Sequence, residues 1–154
     1  MVDLAGKILV VVDMQPGYRE SMHESQVLAV EELVRRARQV ESLVVFLEFL
    51  DAPTFTCLMR HVRAYDCFVV EQKTGCDGAL NVIDACKRGE YDMDFFVVCG
   101  VDTHVCVRDT TSSLASMVPS AQVEVVMEAC GSVRGNDWSV FPQADNIELV
   151  SLWG

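Results

Sequence analysis

Positive charge is what this sequence has least of: 12 Lys and Arg stand against 23 Asp and Glu, a formal net charge of −11. Nucleic acids and anionic membranes recruit proteins through surplus Lys and Arg, so neither is an expected partner. Long apolar runs are missing too. No segment approaches the roughly 18 residues that span a bilayer, and the short apolar run of the opening MVDLAGKILVVVDMQ ends in an acid. Neither a signal peptide nor a membrane anchor is expected. The seven cysteines include no CxxC pair, and Cys99 and Cys106 are spaced too widely for a metal clip. An odd cysteine count without an export signal points to a reducing cytosol and a cytoplasmic protein. Cys57, Cys67, Cys86 and Cys99 read as small buried hydrophobes. Repeats, linkers and low-complexity tracts are absent, which leaves one domain over residues 1–154.

What is present is core material: 51% of residues are apolar and 23% charged, and a domain near this length buries roughly 70% of its unfolded surface. Apolar runs at Ile8 to Val12, Leu43 to Leu50, Phe68 to Val70, Phe95 to Cys99 and Val123 to Met127 lack alternation, as do strands covered on both faces. Ile147 to Leu152 is a weaker sixth. Between the first two runs, Val27, Val30, Leu33, Val34, Ala37 and Val40 form one helical stripe, opened by a capping box from Ser21 to Glu24. Further helices are expected near Thr54 to Ala64, Ala79 to Arg88 and His104 to Met117. Strand–helix alternation of this kind predicts an α/β fold with right-handed crossovers.

Ligands of such sheets bind beyond the carboxyl ends of the strands. Those positions hold Asp13 and Gln15, Asp51, Lys73, the segment GVDTHVC, and Glu128 with Cys130. Of only three lysines, Lys73 alone directly follows a strand. A first helical turn and a nearby lysine both favour a thiolate, and a carboxylate can shuttle the thiol proton. Asp13, Lys73 and Cys106 could therefore form a nucleophilic site. The same residues also suit an N-cap, a solvated lysine and a core thiol, and spacing does not choose between these readings.

The segments ILVVVDMQPGY, VVEQKTG, VVCGVDTHVCVRDT and VEVVMEACGS resemble, in order from Lys7 to about Ser132, the signatures of the isochorismatase-like cysteine hydrolases, a superfamily that includes nicotinamidases. That resemblance implies a three-layer α/β/α sandwich with a six-stranded parallel sheet ordered 3-2-1-4-5-6. It implies an Asp13, Lys73, Cys106 triad and a cis peptide between Val101 and Asp102. The amides of Asp102 and Cys106 would then form an oxyanion hole, in which each donor is typically worth about 3 kcal/mol. Gln15, Tyr18 and Val101 fall at substrate-binding positions, Tyr18 either stacking on a planar substrate or simply packing. No cofactor is implied, a small-molecule amide is the expected substrate, and homo-oligomers are common in the family.

Departures accompany the match. Nicotinamidases carry a metal-binding DxH after strand two; here Asp51 is followed by Pro53, which cannot ligate, so no metal is expected. His61 reads as a helix residue. Cys76, in KTGCDGA, is a rival thiol beside Lys73, and His104 suits a cap or pocket wall because its neighbour Cys106 points elsewhere. Arg108 reads as a salt-bridge residue, while Trp138 and Phe141 fit either a pocket closure or a subunit contact. A cysteine amidohydrolase is the reading, with isochorismatase-type vinyl ether hydrolysis and a degenerate binding module as alternatives.

Overall fold

Each residue of Ile8–Val12 is buried, because this strand, β1, lies mid-sheet with helices on both sides. The computed structural model describes residues 1–50 and 52–154. Strands β2 (Val44–Phe49), β3 (Phe68–Lys73), β4 (Phe95–Val101), β5 (Gln122–Gly131) and β6 (Ile147–Val150) complete a six-stranded, all-parallel sheet of order β3-β2-β1-β4-β5-β6. Alternate residues of β1 serve opposite cores. Leu9 and Val11 pack with Val30 and Leu33 of helix α1 (Glu24–Gln39). Ile8, Val10 and Val12 face Val82 and Cys86 of α3 (Ala79–Gly89) and Leu114 of α4 (Arg108–Met117). Each fully buried aliphatic side chain contributes about 1.5–3 kcal/mol, so the two cores dominate stability. Among the described residues, no helix is long and apolar enough to cross a membrane.

Several boundaries differ from the sequence expectation. The capping box does not form: Ser21 ends a 3-10 turn (Pro16–Ser21), and His23 precedes α1 without a side-chain cap. Val40 is exposed and Val27 only half-buried, whereas Gln26 joins the buried stripe by donating through Nε2 to the Ala129 carbonyl, 3.0 Å away. The helix expected over 54–64 shrinks to one turn, α2 (Thr56–Met59). Ahead of α4 stands a π turn, Thr103–Val107. Strand β5 runs longer than its apolar core because its pairing with β4 shifts register between Val98 and Gly100. Glu128 and Cys130 thus lie inside a strand instead of after it, and Cys130 is buried.

Candidate functional site

Strands β1, β3 and β4 end at the same edge of the sheet, and each is followed by or ends in one of the site's side chains. Asp13 follows β1 with φ +48°, a left-handed conformation that Asp tolerates better than most residues. Its carboxyl is almost wholly buried. Lys73 is the last residue of β3, with its side chain 0% exposed. The Lys73 stem runs past Gly78, where an added Cβ would sit 2.9 Å from Lys73 Cδ and 2.5 Å from Leu47 Cδ1, so a glycine is what admits it. From there Nζ donates to Asp13 Oδ2 at 2.7 Å and to the Cys76 carbonyl at 3.1 Å. The other carboxylate oxygen, Asp13 Oδ1, is buried without a hydrogen-bond partner, and Asp13 and Cys106 line one cavity.

Cys106 is placed by the turn after β4. The Val101–Asp102 peptide is cis, and the π turn starts there. Asp102 organises it: Oδ1 accepts from the His104 amide at 2.9 Å, and the backbone carbonyl accepts from the Val105 and Val107 amides at 3.2 and 3.0 Å. On its other side, Oδ2 accepts from Ser132 Oγ at 3.2 Å and, more weakly, from Ser21 Oγ at 3.4 Å. Thr103 Oγ1 donates to Asn136, whose Nδ2 donates to the Cys130 carbonyl, tying the turn to the end of β5. These bonds hold the Asp102 side chain and the Thr103 hydroxyl in place.

A cavity of about 300 Å3 opens over these residues. Asp13, Cys106 and Asp102 line it, together with Val105, Tyr18, Ser21, Phe49 and the loop residues Gly75 and Cys76. A wider, open groove of about 660 Å3 adjoins at Phe49, Lys73 and Thr74. Burial pushes the Asp13 pKa up from the usual carboxylate range, against the opposing pull of the Lys73 hydrogen bond and charge. Burial also dominates at Cys106 and pushes its thiol up to about 12; Lys73 pulls the other way, while the Asp13 charge adds to the rise. Burial thus opposes the thiolate expected at Cys106 from the sequence, while Lys73 favours it.

The structure brings Asp13, Lys73 and Cys106 together and lines the cavity with Asp102 and Tyr18. Gln15 and Val101 do not reach it. Gln15 is wholly buried; its Nε2 donates to the Phe49 carbonyl at 3.0 Å and to the Ala52 carbonyl, and its Oε1 accepts from the Phe49 amide at 2.9 Å. It is a brace between β1 and β2. Val101 is core, its Cγ1 set against Gly131. Ser21, Ser132 and Phe49 are site residues that sequence reasoning missed; the S-x-x-E pattern at Ser21 pointed to a helix cap instead.

Other sequence assignments divide as follows. His104 faces away from the cavity, its Nε2 accepting from the Asp137 amide at 3.0 Å, and Arg108 pairs with Asp109. His61 pairs with Glu31 at 2.7 Å. Trp138 and Phe141 pack on one another, centroids 5.3 Å apart, and neither lines the cavity. Cys86 and Cys99 are buried, but Cys57 and Cys67 are half-exposed, so only two of the four expected buried thiols are fully so. Asp51 lies outside the described residues. Among those described, no three His, Cys, Asp or Glu side chains gather as metal ligands.

No protein-family model matches the chain, and no curated protein matches it in sequence. Solved structures do. The YcaC gene product of Escherichia coli, an octameric hydrolase of unknown specificity, is 19% identical with a TM-score of 0.78, covering 100% of this chain and 80% of its own. N-carbamoylsarcosine amidase of Thermoplasma acidophilum is 18% identical, TM-score 0.76, over 95% of this chain and 96% of its own. An isochorismatase of Pseudomonas putida is 13% identical, TM-score 0.75, over 99% and 91%. The activities named for such folds differ, a Caenorhabditis elegans protein among them being called a ribonuclease. In its six-stranded parallel sheet, strand order and helical layers, this chain has the isochorismatase-like hydrolase fold.

Proposed function

We propose that the chain is an isochorismatase-like cysteine hydrolase that cleaves the C–N bond of a small amide. The observation that carries this reading is the buried Lys73–Asp13 pair beside the Cys106 thiol, opening onto a cavity of small-molecule size. Asp13 takes the thiol proton as Cys106 Sγ attacks the amide carbon. Lys73 holds the Asp13 carboxyl in place and offsets the negative charge moving between oxygen and sulfur. Amides of Asp102 and Cys106 receive the carbonyl oxygen as it becomes an oxyanion. Asp13 then returns the proton to nitrogen, the C–N bond breaks, and ammonia or an amine leaves a thioester on Cys106. Water adds to the thioester while Asp13 accepts its proton; the C–S bond breaks, the acid departs, and the sulfur regains a proton from Asp13.

The similarity to an amidase supports this chemistry. No cofactor enters any step. Self-association is part of the proposal, by analogy with octameric YcaC. A binding module on the same fold is the second reading, favoured by the high pKa of the Cys106 thiol. Ammonia release from a panel of small amides, nicotinamide included, separates the two. Turnover that disappears in Cys106→Ala and in Asp13→Ala supports the enzyme, and turnover retained in either variant removes that residue's role.

A further inference from the structure

The charge inventory of the cavity is one-sided. Two carboxyl residues, Asp13 and Asp102, line it, and no Lys, Arg or His does among the described residues. The nearby cation, Lys73, has a side chain 0% exposed, engaged by Asp13 and by the Cys76 carbonyl. Its charge is matched before a ligand arrives. Among the described residues Asp102 has no such counter-ion: its oxygens are held by the dipoles of one amide and two hydroxyls, which fix the side chain without bringing a positive charge. Asp13 Oδ1 is a second acceptor, buried and without a hydrogen-bond donor among the described residues. Of the two rings in the lining, Phe49 already has Lys73 Nζ 5.8 Å from its centroid, which leaves Tyr18 as the aromatic group able to attract a cation.

We propose that this cavity selects small amides bearing a positive charge and rejects carboxylates, with the Asp102 side chain as the group that discriminates. The substrate class rests on the amidase reading; the charge selection does not. An anionic substrate would enter beside Asp102 with no unpaired cation to meet it, whereas an ammonium group would find a carboxylate and the Tyr18 ring. A unit charge about 6 Å from Asp102 at an effective dielectric near 20 changes occupancy by roughly a hundredfold, and solvent screening at the open mouth reduces this to about tenfold.

The test needs no turnover. In a Cys76→Ser background, Cys106 is modified with a cationic trimethylammonium-ethyl and an anionic sulfonatoethyl methanethiosulfonate, each rate normalised to 2-mercaptoethanol and read by peptide mass. The expected cation preference at Cys106 is about tenfold and exceeds that at half-exposed Cys57 in the same sample, a thiol whose groove holds Arg19, His23 and Glu24. Asp102→Asn keeps an oxygen for the His104 amide and lowers the preference several-fold. A preference no greater than that at Cys57, or one unchanged in Asp102→Asn, overturns the proposal. If Asp102→Asn does not fold, the Cys57 comparison decides alone. Glycinamide, propionamide and malonamate then rank substrates: kcat/KM falls in that order, and Asp102→Asn raises the KM for glycinamide more than it lowers kcat. Should none of the three release ammonia while the labelling preference holds, the amidase reading fails and the charge selection stands. Faster turnover of malonamate than of glycinamide overturns the substrate class.

Discussion

Replacing Asp13 by Asn should move two properties of Cys106 in opposite directions. The carboxyl is one of the groups that raises the thiol pKa, behind burial, while Lys73 lowers it. Asn removes the negative charge, keeps the shape and leaves Lys73 acting alone. For charges about 6 Å apart at an effective dielectric near 20, the Coulomb term is roughly 2.8 kcal/mol, and partial screening leaves a drop of about one to two pH units. At pH 8, far below the wild-type value of about 12, the thiolate fraction then rises about 10–100-fold. Nucleophilicity falls with basicity, with a Brønsted slope near 0.4–0.5, so the net gain in alkylation rate is about 3–15-fold. Iodoacetamide labelling of Cys106 at pH 8 in a Cys76→Ser background, followed by peptide mass, measures it. Amide turnover in the same variant should be lost, since no group remains to carry the proton. Slower or unchanged labelling would refute the assignment of Asp13 as the neighbour that holds the thiol protonated.

Three further outcomes follow from the same geometry. Lys73→Met leaves the Asp13 carboxyl buried without its partner and should cost about 3–5 kcal/mol of stability by urea denaturation at pH 7.5, with turnover lost in the folded fraction. Gly78→Ala places a methyl 2.5 Å from Leu47 and 2.9 Å from the Lys73 stem, so it should cost about 1–3 kcal/mol and reduce kcat, whereas Gly17→Ala, with open space around it, should do neither. Cys86, Cys106 and Cys130 have pKa values pushed up to about 11, 12 and 12, chiefly by burial. A raised folded-state pKa means stability is fully present below the unfolded thiol value near 9 and is lost as pH climbs toward these values; urea midpoints at pH 7.5, 9 and 10.5 should fall in that order.

Strands and helices were legible where burial on both faces produced continuous Val, Ile and Leu, as in Ile8–Val12, and least so where a local feature intervened, as in the register shift that lengthens β5. The convergence of Asp13, Lys73 and Cys106 was legible through motif order, since each ends or follows a strand on one edge of the sheet. Side-chain direction was not. Gln15 is two residues from Asp13 and Val101 adjoins Asp102, yet one turns back onto the β2 backbone and the other into the core. Ser21 carried a genuine cap pattern, but Asp102, 81 positions away, recruits its hydroxyl. Burial at Cys106 was hidden for a related reason: a helix start and a lysine are visible in a sequence, whereas desolvation depends on the walls that distant segments build.

Acid-quenched mass analysis of the protein during turnover of a small amide bears most directly on nucleophilic catalysis at Cys106. An acyl mass on the peptide containing Cys106, discharged by hydroxylamine and missing in Cys106→Ala, is the predicted result. Continued ammonia release with that peptide unmodified, or with the acyl group on Cys76, would contradict it.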